Sequence, residues 1–132
     1  MLKKIYKVLF LFFAFALLVG CKPSDKYVGD WYALSGLGEE VMINFSKEKT
    51  MTITSHRDED EIHEINQTAT GIQNNIRYFR IDVEGDNYYI VFEDTKDEDN
   101  AKLIKQTNSA SDFEDVIGDV IFLMNREDFP SN

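Results

Sequence analysis

The sequence predicts an all-β domain with one short helix: about eight antiparallel strands in a meander that closes into a small barrel. Three observations carry this expectation. Beyond residue 26 the apolar residues recur with a period of two rather than 3.6. Polar turn clusters break the pattern roughly every 8 to 12 residues, the spacing of a sandwich or barrel. The aromatic and β-branched residues, which favour pleated surfaces, fall inside those runs.

Tyr27 to Ser35 reads as the first strand, rich in aromatics, with Gly29 and Gly36 near its ends. Val41, Ile43 and Phe45 alternate with Met42 and Asn44. Met51 and Ile53 alternate with Thr50, Thr52 and Thr54. The polar Ser46-Lys47-Glu48-Lys49 between them makes this pair a hairpin. Residues 62–70 form a weaker strand, with Ile62 and Ile65 out of strict alternation. Residues 75–83 form a stronger one, with Phe79, Ile81 and Val83 on one face.

Glu84-Gly85-Asp86-Asn87 is a hairpin turn, and Tyr88 to Phe92 is apolar on both faces and therefore central. Asp94 to Asn100 is an acidic loop, and Ala101 to Gln106 is a further strand. Ser111-Asp112-Phe113-Glu114 has the spacing of a capping box and Gly118 a stop, which predicts a short helix over 112–117. Asp119 to Arg126 is the last strand.

The first twenty residues follow different rules. Lys3, Lys4 and Lys7 precede an unbroken apolar run from Val8 to Val19. The run is short of the roughly 20 residues a membrane-spanning helix needs, and suits a cleavable signal peptide. It ends in Leu18-Val19-Gly20-Cys21, which resembles the bacterial lipobox. The resemblance covers residues 1–21 and implies diacylglycerol on the Cys21 thiol, cleavage before it and N-acylation of the new terminus. Two or more acyl chains are what stable anchoring requires. The expected organisation is a signal peptide at 1–20, a lipidated tether at 21–26 and a single domain at 27–132. The expected location is the cell envelope: the outer membrane of a two-membrane host, where Lys22 after the cysteine resembles the sorting signal, or the outward face of a single membrane.

Cleavage leaves 11 basic residues against 24 acidic ones, a formal charge of −13 for residues 21–132. Such a domain is a poor nucleic-acid binder, because phosphate contacts need lysine and arginine. It is repelled by anionic lipid, so the acyl chains must hold it. Cys21 is the sole cysteine, which excludes disulfides, thiol catalysis and cysteine-based zinc sites in the mature domain.

Gly29-Asp30-Trp31 on the first strand and Arg126 at the end of the last are similar to a pair found in lipocalins and related calycin barrels. There a tryptophan packs under an arginine and closes one barrel end. The resemblance implies that Gly29, Trp31 and Arg126 are structural closure residues rather than ligand contacts. The chain is short for that family, and its helix precedes the last strand rather than following it.

His56 and His63 flank an acidic run, Arg57 to Glu61, at a spacing that matches no metal motif and reads as a solvated hairpin tip. Asp94, Asp97, Glu98, Asp99 and Asn100 lack the spacing of a calcium loop. No cofactor motif and no catalytic signature occurs, so the expected class is a non-enzymatic binding module. Its partner is read as a basic protein or a small amphipathic ligand. Inhibition of a basic, lysozyme-like enzyme or toxin is the second reading, since small lipoprotein barrels of this kind include lysozyme inhibitors. An envelope-assembly subunit is the third.

Overall fold

A computed structural model of the chain describes residues 23–131. The signal peptide, the lipobox and Cys21 lie outside the described residues. Eight antiparallel strands follow one another around a closed barrel in sequence order. They are β1 (Gly29–Ser35), β2 (Glu40–Phe45), β3 (Thr50–Thr54), β4 (Glu61–Gln73), β5 (Ile76–Val83), β6 (Asp86–Phe92), β7 (Asn100–Gln106) and β8 (Gly118–Asn125). Closure is made by β1, which pairs with β2 through Trp31↔Ile43 and with β8 through Ala33↔Met124. All-β architecture and the eight-strand meander thus agree with the sequence expectation.

Alternation sends one residue of each successive pair inward. Trp31, Ile43, Phe45, Met51, Ile65, Phe79, Ile81, Ile90, Phe92, Leu103 and Met124 pack into one core, drawn from all eight strands. Side chains therefore fill the barrel, as small eight-stranded barrels allow. Ile62 and Ile65, three apart, face opposite ways: Ile62 is exposed and Ile65 is buried. Between Gln67 and Ala69 the β4–β5 register shifts, and this bulge lets the 13-residue β4 bend around the wall.

The turns follow from local chemistry. Glu84 and Gly85 connect β5 to β6, both with positive φ (54° and 91°), the geometry of a two-residue hairpin turn. Asn74 and Asn75 do the same between β4 and β5, with φ of 52° and 64°, a conformation asparagine tolerates.

The helix expected over 112–117 is corrected by the structure. Only a 3-10 helix, Phe113–Asp115, forms there, and its N-cap is Asp112, with no side-chain cap bond. Asn108 supplies the reason. Its side chain donates to Asp115 O at 2.8 Å and accepts from Ile117 N at 3.1 Å, satisfying groups a longer helix would have used. Phe113 stacks on Tyr78 of β5, with centroids 4.2 Å apart and planes within 4°, which straps the segment to the outer wall.

Candidate functional site

The barrel has two unlike ends. At one, Trp31 is fully buried and donates its Nε1–H to Tyr27 O at 2.8 Å. The Arg126 guanidinium lies over the indole, its carbon 3.8 Å from the ring centroid. Its Nη1 donates to Asp30 O at 3.1 Å, and its Nη2 to Lys26 O at 3.0 Å and Val28 O at 3.1 Å. Burial pushes the guanidinium down from its ordinary value, opposed by Asp99, Asp30 and Glu98. Gly29, at φ +115°, leaves room for this arrangement: a Cβ there would sit 3.0 Å from Arg126 Nη1. The structure thus brings Gly29, Trp31 and Arg126 into one cluster.

The N-terminal segment completes that end. Pro23 is buried. Ser24 N and the Tyr27 hydroxyl both donate to Gln67 Oε1, at 3.1 and 2.9 Å. Burial raises the Tyr27 pKa to about 12, so the phenol stays protonated and can donate. Gln67 has no marker in the sequence that distinguishes it from a surface residue. Its role comes from facing inward opposite Ile81.

The other end is a shallow mouth, reached by the connections β1–β2, β3–β4, β5–β6 and β7–β8. The first three carry Glu39, Asp58, Glu59, Asp60 and Glu84 against one cation, Arg57, while the β7–β8 connection folds along the outer wall, where Glu114 accepts from Gln73. The closed-end segments carry Lys26, Lys47, Lys49, Lys96 and Arg126 among nine acids, Asp25, Glu48, Glu93, Asp94, Asp97, Glu98, Asp99, Glu127 and Asp128. Exposed apolar residues gather at the mouth too. Leu37 is 99% exposed at the β1–β2 tip, and Ile62, Ile117 and Val120 are exposed close to strand ends on the same side.

A cavity of about 140 Å3 opens in the mouth. Val41, Ile53 and Phe122, all apolar, line its inner part, and Ser35, Glu39, Ser55, Asp58, Glu59 and Glu61 complete it. Glu61 pairs opposite Ile53, and His63 opposite Met51, so both face inward. His63 Nδ1 lies 2.9 Å from Glu84 Oε1 and its Nε2 lies 3.4 Å from Glu61 Oε2. The Glu84 contact raises the His63 pKa most, burial lowers it, and Glu61 raises it further. His63 is thereby tied to Glu84, distant in sequence, as well as to the acidic run beside it.

A larger groove of about 320 Å3 lies on the outer wall among Val91, Leu123, Pro130, Glu93, Asp94 and Asp97. Its carboxylates already have partners. Glu93 pairs with Lys102, Asp94 accepts from Asn75 and from Lys96 N, and Asp97 accepts from Asn100. The amide of Asn100 holds the Asp97 carboxyl below its ordinary value. Glu98, held low by Lys26, is likewise engaged. His56 sits apart from His63, beside Arg57 and Leu37 in a shallow outer depression. Among the described residues no three histidine, cysteine or carboxylate side chains converge as a metal site would require.

Fold and site together define a small, filled, antiparallel β-barrel with one sealed end and one acidic, partly apolar mouth. No family model, curated protein or solved structure matches the chain.

Proposed function

We propose that this protein is a membrane-anchored envelope lipoprotein whose barrel is a non-enzymatic binding module for a basic protein partner. The lipobox-like Leu18-Val19-Gly20-Cys21 supports the anchor. The Trp31–Arg126 pair supports a likeness to lipocalin and calycin barrels. The observation that carries the reading is the contrast between the two ends. At the mouth the carboxylates of the β1–β2, β3–β4 and β5–β6 turns face one cation, Arg57, beside the exposed Leu37 and Ile62, whereas at the other end the acids are interleaved with Lys26, Lys47, Lys49, Lys96 and Arg126 and the opening is sealed. A charged rim around apolar contacts suits protein association, with charge steering the encounter and apolar area holding it. The filled core disfavours a small ligand inside the barrel.

Pro23 and Ser24 pack against the closed end, two residues after the cysteine. A lipid on Cys21 therefore sets that end toward the bilayer and the mouth away from it. Inhibition of a lysozyme-like enzyme is one form this function takes, favoured by the acidity of the mouth.

Two measurements test the reading. Cys21→Ala abolishes metabolic palmitate labelling, and unchanged labelling sinks the anchor. The purified lipoprotein in detergent retains lysozyme, a small basic protein, at about 50 mM salt and releases it at about 500 mM, where the screening length falls severalfold below that of dilute buffer. No retention at low salt counts against a basic partner.

A further inference from the structure

Ile72 stands apart from the other exposed apolar side chains. Leu37, Ile62, Ile117 and Val120 lie toward the mouth, whereas Ile72, 58% exposed, sits beside the β4–β5 turn at the closed end. It pairs opposite Arg77, and Thr70 pairs opposite Phe79. Alternation therefore places Ile72 and Arg77 on the face of the sheet that holds the buried Phe79, and they continue that face past it. The Arg77 guanidinium makes no hydrogen bond or ion pair among the described residues, although its charge reaches Glu98, which Lys26 already holds. Residues 65–76 are the longest stretch after Cys21 without a charged side chain. The chain also enters the fold here, where Ser24 N donates to Gln67 Oε1 on β4. Asn75 ties the hairpin tip to Asp94 and Thr95, so the tip is held in place.

We infer that Ile72 and Arg77 form a second membrane contact, which docks the β4–β5 hairpin on phospholipid headgroups beside the acylated Cys21. The inference rests on the anchor proposed above and adds the surface of the barrel that meets the bilayer. Cys21 precedes Ser24 by three residues, so at most ~11 Å of chain, at ~3.6 Å per residue, separates the lipid from the contact with Gln67. Charge then selects among the closed-end segments. Their loops carry nine acids against five cations and are repelled by an anionic surface, whereas the uncharged hairpin is not. Ile72 supplies apolar area, and Arg77 a planar donor for a lipid phosphate. The open edge of β4 sets the depth. β3 pairs with β4 only as far as Glu64. Gln73 and Ile76 flank a two-residue turn and exchange hydrogen bonds, so by alternation the N–H and C=O of Thr70 and Ile72 point away from β5. Such groups need water, which confines the contact to the headgroup layer. A second copy pairing along the same edge would cover these groups instead, and the experiment separates the two.

The experiment uses the full lipoprotein in phosphatidylcholine vesicles doped with headgroup spin-labelled lipid. Lipid occupies the Cys21 thiol, so Thr70→Cys, exposed and on the face of Ile72, takes a fluorophore at that position alone. Glu48→Cys in the β2–β3 turn and Thr54→Cys at the mouth end of β3, both exposed, carry it in reference proteins. Quenching at 70 is expected to be at least about threefold that at 48 or 54, since the interfacial layer is only roughly 5–10 Å deep. Ile72→Ser and Arg77→Gln each weaken it severalfold, whereas Lys49→Gln leaves it unchanged. Near-ultraviolet circular dichroism matching the parent shows that each variant is folded. In vesicles of a phosphate-free glycolipid the Arg77→Gln effect disappears and that of Ile72→Ser remains. Equal quenching at 48 and 70 overturns the hairpin contact and leaves the anchor standing, as does quenching at 70 that neither Ile72→Ser nor Arg77→Gln weakens. Quenching strongest at 54 overturns both the contact and the orientation of the mouth away from the bilayer. Protein that fails to float with the vesicles removes the anchor and the contact with it. A signal at 70 that follows the protein-to-lipid ratio rather than the spin label overturns the contact in favour of a second copy along β4.

Discussion

The Arg126 guanidinium stacks on the Trp31 indole while donating to the carbonyls of Lys26, Val28 and Asp30. One side chain from the end of the chain thus seals the barrel and ties down the segment that enters it. The planar fork does both at once, which an ammonium cannot. Arg126→Lys keeps the charge but loses the stacking plane and leaves carbonyls under-satisfied. It is expected to lower unfolding free energy by about 1–3 kcal/mol. Urea denaturation checks this, and a lysine variant as stable as the parent contradicts it.

Gly29 is coupled to that arrangement. Its φ of +115° strains any residue with a Cβ, and the added methyl would meet Arg126 Nη1 at 3.0 Å. Gly29→Ala is expected to cost about 1–3 kcal/mol. In a double-mutant cycle with Arg126→Ala the two losses should be less than additive, because removing the guanidinium relieves the crowding. Strict additivity in denaturant titrations would show that the cost is backbone strain alone.

Much of the barrel was legible in the sequence because the inward positions repeat every second residue. Val41, Ile43 and Phe45 are all buried, as their alternation requires. Trp31 and Arg126 were legible only as a pattern at two distant places, and their contact depends on the barrel closing. Neither the His63–Glu84 contact nor the Gln67 hydrogen bonds could be read, since both depend on β4–β5 register and its bulge. The helix at 112–117 was misread because the Ser111–Glu114 spacing is local, whereas Asn108 and Tyr78 act on the segment from outside it.

The strap over the outer wall offers a direct check on that last point. Phe113 stacks on Tyr78, lies 5.6 Å from the Tyr89 ring, and is followed by Glu114, which accepts from Gln73. An aromatic pair contributes about 0.5–1.5 kcal/mol beyond its buried area. Phe113→Ala is expected to speed amide exchange across 107–117 about tenfold while β2 and β6 keep their protection. Uniform acceleration across all strands would mean the strap is part of the global unfolding unit.

The His63–Glu84 contact makes a pH-dependent contribution whose sign follows from its geometry. The carboxylate raises the His63 pKa above 6.5, with burial opposing, so the folded protein holds its proton to higher pH than the unfolded chain. The added stability is therefore fully present below about pH 6.5 and is lost as pH rises through the folded-state value. The His63 side chain is 23% exposed and that of Glu84 68%, so solvent screening keeps the effect under about 1 kcal/mol. His63→Gln should flatten the stability profile between pH 6 and 8 without changing it below pH 5 by more than that amount. Glu84→Gln, by removing the largest cause, should lower the His63 titration midpoint followed by its ring proton resonances. An unchanged midpoint in Glu84→Gln would mean that Glu61 and the surrounding acidic field, rather than the 2.9 Å contact, hold the proton on the ring.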